Sequence, residues 1–232
     1  MTTSADPLYA LVPAAGSGER AGGGKLYRRL GGHAVIAHAL MALADVPRIK
    51  NTLVVLGRDD LEFAAQAPQF TGWFEPCGGT TRAASVRAGL AELLRRGAHT
   101  HDWVLVHDAA RCLVLPAAID RLIDSCIGDE VGGLLALPLA DTLKDADAQG
   151  RVRATIAREG KWLAQTPQMF RLGLLAAALD HAGDAVTDEA SAVEALGCAP
   201  KLVPGDADNF KLTWPEDFVR AERVLAARRN TP

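Results

Sequence analysis

The chain has 232 residues, 49% of them hydrophobic, and a formal net charge of -3. This length allows one large α/β domain or two small ones, with a sizeable buried core. The nearly balanced charge, without a basic stripe, argues against a nucleic-acid-binding protein. No apolar run reaches the roughly 18 residues that span a bilayer, and residues 1–6 lack the basic and apolar regions of a signal peptide. We therefore expect a cytoplasmic protein that binds neither nucleic acid nor membrane.

The four cysteines stand apart in the sequence, without C-x-x-C spacing. They are Cys77, Cys112, Cys126 and Cys198. This pattern predicts neither a disulfide framework nor a zinc site. We expect small buried thiols in a reducing compartment.

Strand-like apolar runs alternate with helical patterns along the chain. In chain order, the predicted strands are residues 9–13, 52–56, 103–107, 134–137, 201–203 and 210–213, and the predicted helices are residues 34–44, 81–96, 117–127, 172–182, 188–196 and 215–229. This alternation predicts a mostly parallel sheet covered by helices on both faces. Ligands of such sheets bind beyond the carboxyl ends of the strands. No segment is long enough to act as a linker, so we expect residues 1–232 to form a single domain.

The first predicted strand, residues 9–13, runs directly into a glycine-rich loop. This loop begins at Gly16 and Gly18, contains three further glycines and carries two cations, Arg20 and Lys25. Successive free N–H groups in such a loop bind anions, and the cations add full charges. The loop therefore suits a nucleoside triphosphate, although a purely structural glycine turn stays open because a lone glycine motif is weak evidence.

The same loop formally fits the dinucleotide pattern G-x-G-x-x-G/A. That pattern requires an acidic residue about 20 positions later, and residues 35–40 contain none. The loop also lacks the G-K-[ST] ending of a Walker A motif. A nicotinamide-dependent oxidoreductase is therefore disfavoured.

A second glycine loop, residues 77–80, opens the longest predicted helix. Free N–H groups at a helix N-terminus can bind an anion or a base edge. The alternative is an ordinary strand-to-helix turn capped by Thr80 or Thr81. In the same way, Thr187 is the expected cap of the helix at residues 188–196.

Two carboxylates and a lysine extend the candidate site. Asp108 closes a buried strand, and Asp208 lies in a turn shortly before Lys211. Mg²⁺ prefers hard oxygen ligands and bridges phosphates, so the two aspartates are candidate metal ligands and the lysine could neutralise a phosphate. Each segment alone also fits an ordinary turn.

Residues 141–158 break the alternation of strands and helices. They are charged and alternating, which predicts an exposed β-hairpin with a turn near residues 148–150. The alternative is a solvent-exposed surface loop that contacts no partner. Since an isolated hairpin is only marginally stable, we expect this arm, about residues 139–160, to pack against a second subunit.

These segments occur in the order of one known family. The matching segments are residues 13–18 with Arg20, residues 78–79 with Arg82 and residues 85–86, residues 106–111, residues 141–142, residues 165–168, residues 187–191, and residues 208–209 with Lys211. On these motifs the chain resembles the 2-C-methyl-D-erythritol 4-phosphate cytidylyltransferases of the non-mevalonate isoprenoid pathway, from about residue 8 to about residue 225. The resemblance implies a Rossmann-like α/β fold with a protruding β-hairpin dimerisation arm.

The resemblance also implies a reaction and its residues. CTP and 2-C-methyl-D-erythritol 4-phosphate would give 4-diphosphocytidyl-2-C-methyl-D-erythritol and pyrophosphate by in-line attack on the α-phosphate. The implied catalytic residues are Arg20, Lys25 and Lys211; the nucleotide-binding residues are Pro13, Ala14, Ala15, Gly16, Gly18, Gly79, Thr80, Ser85, Asp108 and Ala109; the substrate-binding residues are Arg111, Thr142, Arg158, Thr166 and Thr187; and the Mg²⁺ ligands are Asp108 and Asp208. In the implied homodimer, Thr142 and Arg158 reach the neighbouring subunit's acceptor.

Three positions depart from the family pattern. The cation stands in Gly24-Lys25-Leu26 rather than Pro-Lys-Gln, Cys112 replaces a usual proline, and Thr80 replaces a common acidic residue. Two other functions stay open. One is a cytidylyltransferase for another polyol phosphate, such as ribitol 5-phosphate, and the other is a non-catalytic nucleotide-binding protein.

Overall fold

The computed structural model describes residues 6–16 and 24–229. Within these residues the chain folds into alternating strands and helices with one separate hairpin. In chain order the elements are β1 (Leu8–Pro13), β2 (Arg29–Leu30), β3 (His33–Ala34), α1 (Val35–Ala44), β4 (Asn51–Val55), α2 (Phe63–Gln66), β5 (Trp73–Glu75), α3 (Arg82–Arg95), β6 (Trp103–Val106), α4 (Pro116–Cys126), β7 (Gly132–Pro138), β8 (Leu143–Ala146), β9 (Val152–Ile156), β10 (Trp162–Arg171), α5 (Leu172–Ala182), α6 (Glu189–Ala195), β11 (Lys201–Pro204) and α7 (Pro215–Arg229).

Seven strands form one sheet in the order β11-β7-β10-β6-β1-β4-β5. Strands β6, β1, β4 and β5 pair in parallel, and so do β7 and β11. Strand β10 runs antiparallel to both of its neighbours, β6 and β7. The other six strands therefore point the same way, and their carboxyl ends meet at one edge. The predicted mostly parallel sheet is confirmed.

Alternate residues of the central strands pack against opposite layers of helices. In β1, Ala10 and Val12 belong to the core on the side of α1 and α4, whereas Tyr9 and Leu11 belong to the core on the side of α3 and α5. All four are at most 2% exposed. Strands buried on both faces have continuous apolar sequences, which explains why apolar runs predicted β1, β4, β6 and β7.

Two helices, α3 and α4, begin at residues that favour a helix N-terminus. Thr81 caps α3, as expected, because its Oγ1 accepts a hydrogen bond from the N–H of Ala84 (3.0 Å). Pro116 occupies the first turn of α4, where its missing N–H is not needed. Among the described helices, none is both long enough and apolar enough to cross a bilayer.

The prediction that Thr187 caps α6 is wrong. The cap is Asp188, whose Oδ1 accepts a hydrogen bond from the N–H of Ser191 (2.9 Å), while Ser191 Oγ accepts one from the N–H of Asp188 (3.2 Å). This reciprocal pair satisfies two backbone donors at once, which a threonine one residue earlier does not do.

The strand predicted at residues 210–213 does not form. The N–H of Leu212 instead donates to the carbonyl of Ala110 (2.9 Å), in the loop after β6. Leu212 is fully buried. The apolar and polar alternation here therefore reflects a loop packed on another loop.

The apolar-run criterion missed β10. Its middle residues Gln165, Thr166 and Gln168 are polar and buried, and the register with β7 shifts between Ala164 and Gln168. Such a bulge redirects side chains out of the regular pleat. The missed part of the strand is therefore the part that carries polar groups to the sheet edge.

Strands β8 and β9 form the predicted hairpin, in a small sheet of their own. At the turn, Asp147 Oδ1 accepts hydrogen bonds from the N–H groups of Gln149 (3.0 Å) and Arg151 (2.8 Å). Gly150 follows with a φ of 76°, which only glycine adopts readily. We call residues 139–160, which contain β8, β9 and their turn, the arm.

Candidate active site

A cavity of about 650 Å³ opens at the edge where the parallel strands end. It is lined by residues 14–16, 24–27, 57–60 and 78–80, together with Glu62. We call it the glycine-loop cavity. The predicted site residues Gly18 and Arg20 belong to residues 17–23, which lie outside the described residues.

The two glycine loops touch each other in this cavity. A Cβ atom on Gly78 would lie 2.2 Å from Ala15 Cβ and 2.6 Å from the carbonyl oxygen of Leu56. The N–H of Gly78 also donates to that carbonyl (2.8 Å). Only glycine fits such a close approach. The structure therefore brings the predicted residues Ala14, Ala15 and Gly16 next to Gly79 and Thr80.

Several backbone donors at the cavity are already occupied. The N–H of Ala14 donates to the carbonyl of Val55 (2.8 Å), and that of Gly79 donates to Ser85 Oγ (3.1 Å). Ser85 is buried, and its hydroxyl donates to the carbonyl of Thr81 (2.9 Å). Ser85 therefore shapes the second glycine loop from beneath.

Asp108 lies at the centre of a charge cluster beside this cavity. Its Oδ1 accepts a hydrogen bond from Arg82 Nε (2.9 Å), and its Oδ2 accepts one from Lys211 Nζ (2.8 Å). Burial alone would raise the pKa of the Asp108 carboxyl, but the charges of Arg82 and Lys211 hold it well below its usual value. Asp108 therefore stays ionised and fixes both cations.

Arg82 extends the charge cluster to a second buried carboxylate. Its Nη1 and Nη2 donate to the two carboxylate oxygens of Glu189 (2.6 and 2.9 Å). Glu189 is fully buried. Such bidentate pairs are strong and geometrically defined. Burial alone would lower the pKa of Arg82, but the charges of Glu189 and Asp108 raise it. Arg82 therefore joins α3, β6 and α6.

Arg82 and Glu189 were not among the predicted site residues. A signal for Arg82 exists, because it occupies the first turn of α3, where the helix dipole disfavours a cation. A cation at that end indicates a compensating anion from elsewhere in the fold. Glu189 carries no such signal, since an acidic residue in the first turn of a helix is ordinary.

A buried histidine links Asp108 to β10. The N–H of Asp108 donates to Thr166 Oγ1 (3.0 Å), and Thr166 Oγ1 lies 3.1 Å from His107 Nδ1. The Thr166 hydroxyl then donates to Nδ1, which assigns the ring proton to Nε2, 3.1 Å from the carbonyl of Arg111. Burial lowers the pKa of His107 to about 4, so the ring is neutral near pH 7.

The bulge in β10 is held by Arg111 and Asn209. Arg111 Nη1 donates to the carbonyl of Asn209 (2.7 Å), and its Nη2 donates to that of Ala164 (3.1 Å). Asn209 Nδ2 donates to the carbonyl of Thr166 (2.8 Å). Arg111 Nε lies 4.0 Å from Asp108 Oδ2. The predicted residues Arg111 and Thr166 therefore meet at the charge cluster.

Lys25 comes to the same place from the first glycine loop. Its Nζ donates to the carbonyl of Leu212 (3.2 Å), the neighbour of Lys211 in the chain. Two predicted cations, 186 positions apart in the sequence, therefore converge beside Asp108. Of the other predicted residues, Pro13 ends β1 and Ala109 is buried next to Asp108.

Three predicted substrate residues are exposed in the single chain. Thr142 is exposed in the arm. Arg158 is also exposed, and its Nη1 donates to the carbonyl of Ala140. Thr187 is exposed, and its hydroxyl donates to Ser191 Oγ (3.4 Å).

Asp108 and Asp208 are the candidate ligands for a divalent cation. Both offer carboxylate oxygens, which Mg²⁺ prefers. Both Asp108 oxygens already accept hydrogen bonds from cations, Oδ1 from Arg82 and Oδ2 from Lys211, so a metal ion here would share the carboxylate with them. The Asp208 carboxylate is 43% exposed and lies 3.8 Å from Arg228 Nη2. The chemistry of these donors fits a hard cation.

A larger groove, of about 790 Å³, opens at the other edge of the sheet, between α1 and the start of β4. We place the site in the glycine-loop cavity nevertheless, because the glycine loops lie there and the cluster of Lys25, Arg82, Asp108 and Lys211 lies beside them. Convergent charged and backbone groups distinguish a functional site better than volume does.

The comparisons with known proteins agree with this geometry. Residues 8–227 match the family model described as 2-C-methyl-D-erythritol 4-phosphate cytidylyltransferase. The chain belongs to this family. The resemblance inferred from the motifs is therefore confirmed over nearly the whole chain.

Two relatives show how close the family likeness is. A 2-C-methyl-D-erythritol 4-phosphate cytidylyltransferase of Laribacter hongkongensis is 53% identical, across 93% of this chain and 95% of its own length. A bifunctional enzyme IspD/IspF of Albidiferax ferrireducens is 59% identical across 95% of this chain. The chain spans 53% of the length of that bifunctional relative.

Solved structures of the family have the same fold. A structure of 4-diphosphocytidyl-2C-methyl-D-erythritol synthase matches with a TM-score of 0.85 and 41% identity, over 95% of this chain and 99% of its own. The Thermus thermophilus 2-C-methyl-D-erythritol 4-phosphate cytidylyltransferase matches with a TM-score of 0.77 and 33% identity, over 95% of this chain and 99% of its own. The predicted Rossmann-like α/β fold is confirmed.

Proposed function

We propose that the protein, acting as a single domain, transfers the cytidylyl group of CTP to 2-C-methyl-D-erythritol 4-phosphate. The products are 4-diphosphocytidyl-2-C-methyl-D-erythritol and pyrophosphate. Family membership supports this reaction, and one observation in the structure carries it. Lys25 and Lys211, from opposite ends of the chain, converge beside Asp108 at the edge of the glycine-loop cavity. That arrangement suits a polyphosphate, which needs fixed positive charge and close backbone approach.

The chemistry is a displacement at phosphorus. An oxygen of the acceptor's phosphate forms a bond to the α-phosphorus of CTP, and the bond from that phosphorus to the bridging oxygen breaks. Because a phosphate dianion is already a competent nucleophile, the reaction needs neither a covalent intermediate nor a general base. The residues contribute positioning and charge neutralisation.

We assign the neutralising charges to Lys25, Lys211 and Arg20. Lys211 Nζ is held by Asp108, and Lys25 Nζ donates to the carbonyl of the adjacent Leu212, so we propose that both ammonium groups act on the same phosphates. Negative charge grows on the α-phosphoryl oxygens in the transition state, where fixed cations act most strongly. Arg20 is assigned from the family motif alone.

The cytidine end is assigned to the two glycine loops. We propose that residues 13–16 and Gly18 cradle the phosphates and ribose, while Gly79 and Thr80 read the base edge. Ser85 supports Gly79 through its hydroxyl. Ala109 forms the floor of the nucleotide site next to Asp108. Asp108 and Asp208 would hold Mg²⁺, which supplies further neutralisation of the phosphates when bound.

The acceptor is assigned to Arg111, Thr166 and Thr187 of one subunit, with Thr142 and Arg158 of the arm. Since Thr142 and Arg158 are exposed on the arm, we propose that they serve the site of a second copy in a homodimer. Exposed apolar side chains on and beside the arm support this. They are Val152 (64% exposed), Leu163 (53%), Leu143 (37%), Ile156 (37%) and Trp162 (37%).

We also propose that the enzyme works in the cytoplasm. Its four cysteines are free thiols, as a reducing compartment requires.

The test is pyrophosphate release with CTP, Mg²⁺ and methylerythritol 4-phosphate, run beside ribitol 5-phosphate and the other nucleoside triphosphates. We expect release only with CTP and methylerythritol phosphate. Release only with ribitol 5-phosphate would support the same nucleotide site with a different acceptor. No release with any pair, from folded protein, would contradict the proposal.

A further inference from the structure

A second group of potential metal ligands lies in the turn between α3 and β6, at the edge of the sheet opposite the glycine-loop cavity. The spacing is His-x-His-Asp, at His99, His101 and Asp102. One ligand atom from each residue lies within 4.8 Å of the others, and within the described part of the chain no other three His, Cys, Asp or Glu residues do so. We call this group the histidine turn.

One carboxylate oxygen of Asp102 is buried without a partner. The Asp102 side chain is 1% exposed. Its Oδ2 accepts a hydrogen bond from the N–H of His99 (2.8 Å), but its Oδ1 receives none. A buried carboxylate oxygen without a donor is destabilising unless a cation or donor satisfies it. Oδ1 lies 3.7 Å from His101 Nε2.

The two imidazoles are placed to approach the same point as Asp102. Their rings are stacked, with centroids 5.3 Å apart and planes inclined by 19°. His99 Nδ1 lies 3.7 Å from Asp102 Oδ2. Both histidine side chains are about two thirds exposed (68% and 64%), so an ion can reach the site from solvent and the rings can adjust.

The backbone of the histidine turn is fixed before any ion binds. The N–H of Asp102 donates to the carbonyl of His99 (3.0 Å), and the N–H of Gly173 donates to that of Thr100 (2.8 Å). The carbonyl of Asp102 accepts from the N–H of Leu172 (2.9 Å). The turn is therefore tied to the start of α5, and the ligands need only side-chain movement.

We propose that His99, His101 and Asp102 bind one zinc ion, with water in the fourth position. Zinc bonds to imidazole nitrogen and carboxylate oxygen are about 2.0–2.2 Å, which places tetrahedral ligands roughly 3.4 Å apart. The 3.7 Å between His101 Nε2 and Asp102 Oδ1 is within a small rotation of that value, and one ligand atom from each of the three residues lies within 4.8 Å of the others. Two imidazoles and one carboxylate suit zinc and disfavour Mg²⁺, which takes oxygen ligands.

The zinc site stands apart from the proposed reaction. Strand β6 and His107 separate Asp102 from Asp108, a distance of about 20 Å for six steps of roughly 3.3 Å. A zinc ion here would stabilise the turn at the start of β6 and its contact with α5. We therefore expect zinc to raise the melting temperature and to leave turnover unchanged.

The experiment uses the untagged protein, freed of metal with a chelator and titrated with Zn²⁺ by calorimetry and by competition with a chelating dye. We expect one tight equivalent per chain and a rise in melting temperature. His99→Ala and His101→Ala should each weaken binding at least ~10-fold. Because both side chains are exposed, these variants should fold.

His181→Ala is the matched control, since His181 is exposed on α5 outside the histidine turn. A double variant, Cys77→Ser with Cys198→Ser, controls for binding by the two partly exposed thiols. Unchanged zinc affinity in His99→Ala and His101→Ala would overturn the proposal, and so would equal stabilisation by Mg²⁺. Loss of affinity in these two variants, with both controls unchanged, would establish it.

Discussion

Asp108 is a buried carboxylate with three cationic neighbours, two of which come from distant parts of the chain. Arg82 and Lys211 bond to it directly, and Arg111 Nε lies 4.0 Å away. A buried charge that loses its partner is strongly destabilising, while a paired one contributes mainly to geometry. Asp108 therefore fixes where the Lys211 ammonium lies, and in the proposed reaction it would hold that ammonium near the phosphates.

Lys211→Ala should lower kcat by ~10²-fold or more, because a fixed charge that meets the transition state is lost. The protein should still fold, although less stably, because Asp108 keeps its ion pair with Arg82 (2.9 Å). Steady-state pyrophosphate release and a thermal melt measure the two effects. Lys201→Ala is the matched control. Lys201 lies on β11, at the far side of the sheet, and its Nζ pairs with Asp129 Oδ2 (2.8 Å). Equal turnover in both variants would remove Lys211 from the mechanism.

His107 makes the stability of the fold depend on pH. Its pKa is about 4 in the folded protein, against an ordinary value of 6.5. Between these values the unfolded chain binds the proton and the folded chain does not, so stability is lost as the pH falls from about 6.5 to about 4. The difference corresponds to about 3 kcal/mol. His38, whose pKa burial also lowers, acts in the same direction.

His107→Gln should flatten this dependence, because glutamine does not titrate. Urea unfolding at pH 7, 6 and 5 measures it as the free energy of unfolding. The variant is expected to be less stable at pH 7 and to lose less stability on acidification. His181→Gln, which changes an exposed histidine, should keep the parent slope. Parallel slopes for His107→Gln and the parent would contradict the assignment.

At the scale of elements, a strand could be predicted from the sequence when its buried side chains are apolar and was missed when they are polar. Strands β1, β4 and β6 are apolar on both faces, so their sequences alone predict them. Strand β10 was not predicted because its buried residues Gln165, Thr166 and Gln168 are polar. Their hydrogen-bond partners come from α6 and the loops, and the local sequence does not reveal these contacts. Residues 210–213 were wrongly predicted as a strand. Their apolar and polar side chains alternate because the segment packs on another loop, not because it belongs to a sheet.

The same reasoning applies to the site. Lys25 and Asp108 were predicted from a glycine loop and a strand end, and Lys211 from its place after the turn at Asp208 and from the family resemblance. Arg82 and Glu189 could not be paired from the sequence, since their contact depends on how α3 and α6 pack on the sheet. Asp208 was predicted as a partner of Asp108, and in this structure its carboxylate lies near Arg228.

The arm can be tested as a carrier of substrate contacts. Arg158→Ala should raise the KM for methylerythritol phosphate much more than the KM for CTP, because Arg158 is assigned to the acceptor's phosphate. Arg151→Ala, on an exposed residue at the turn of the same arm, controls for general damage. Initial rates with each substrate varied in turn provide both constants. An equal effect on the two KM values would count against the assignment.

At the scale of the whole molecule, the apolar surface of the arm predicts a dimer. Val152 is 64% exposed, and burying such side chains between subunits is favourable. Val152→Asp should shift the protein from twice the chain mass toward the monomer in analytical ultracentrifugation, and should lower activity in parallel. Leu61→Asp is the control, since Leu61 is 93% exposed outside the arm. A parent protein that is monomeric at all concentrations would overturn the dimer.

The junction between the arm and β10 determines where this chain tolerates a change in length. Extra residues at the turn around Gly150 would extend into solvent, because the hairpin strands pair only with each other. One extra residue between Ala164 and Gln168 would instead turn Thr166 away from His107 and Asp108. A peptide tag or fluorophore inserted at Gln149 should therefore leave the chain folded, and it would report on contact between the arm and a second subunit.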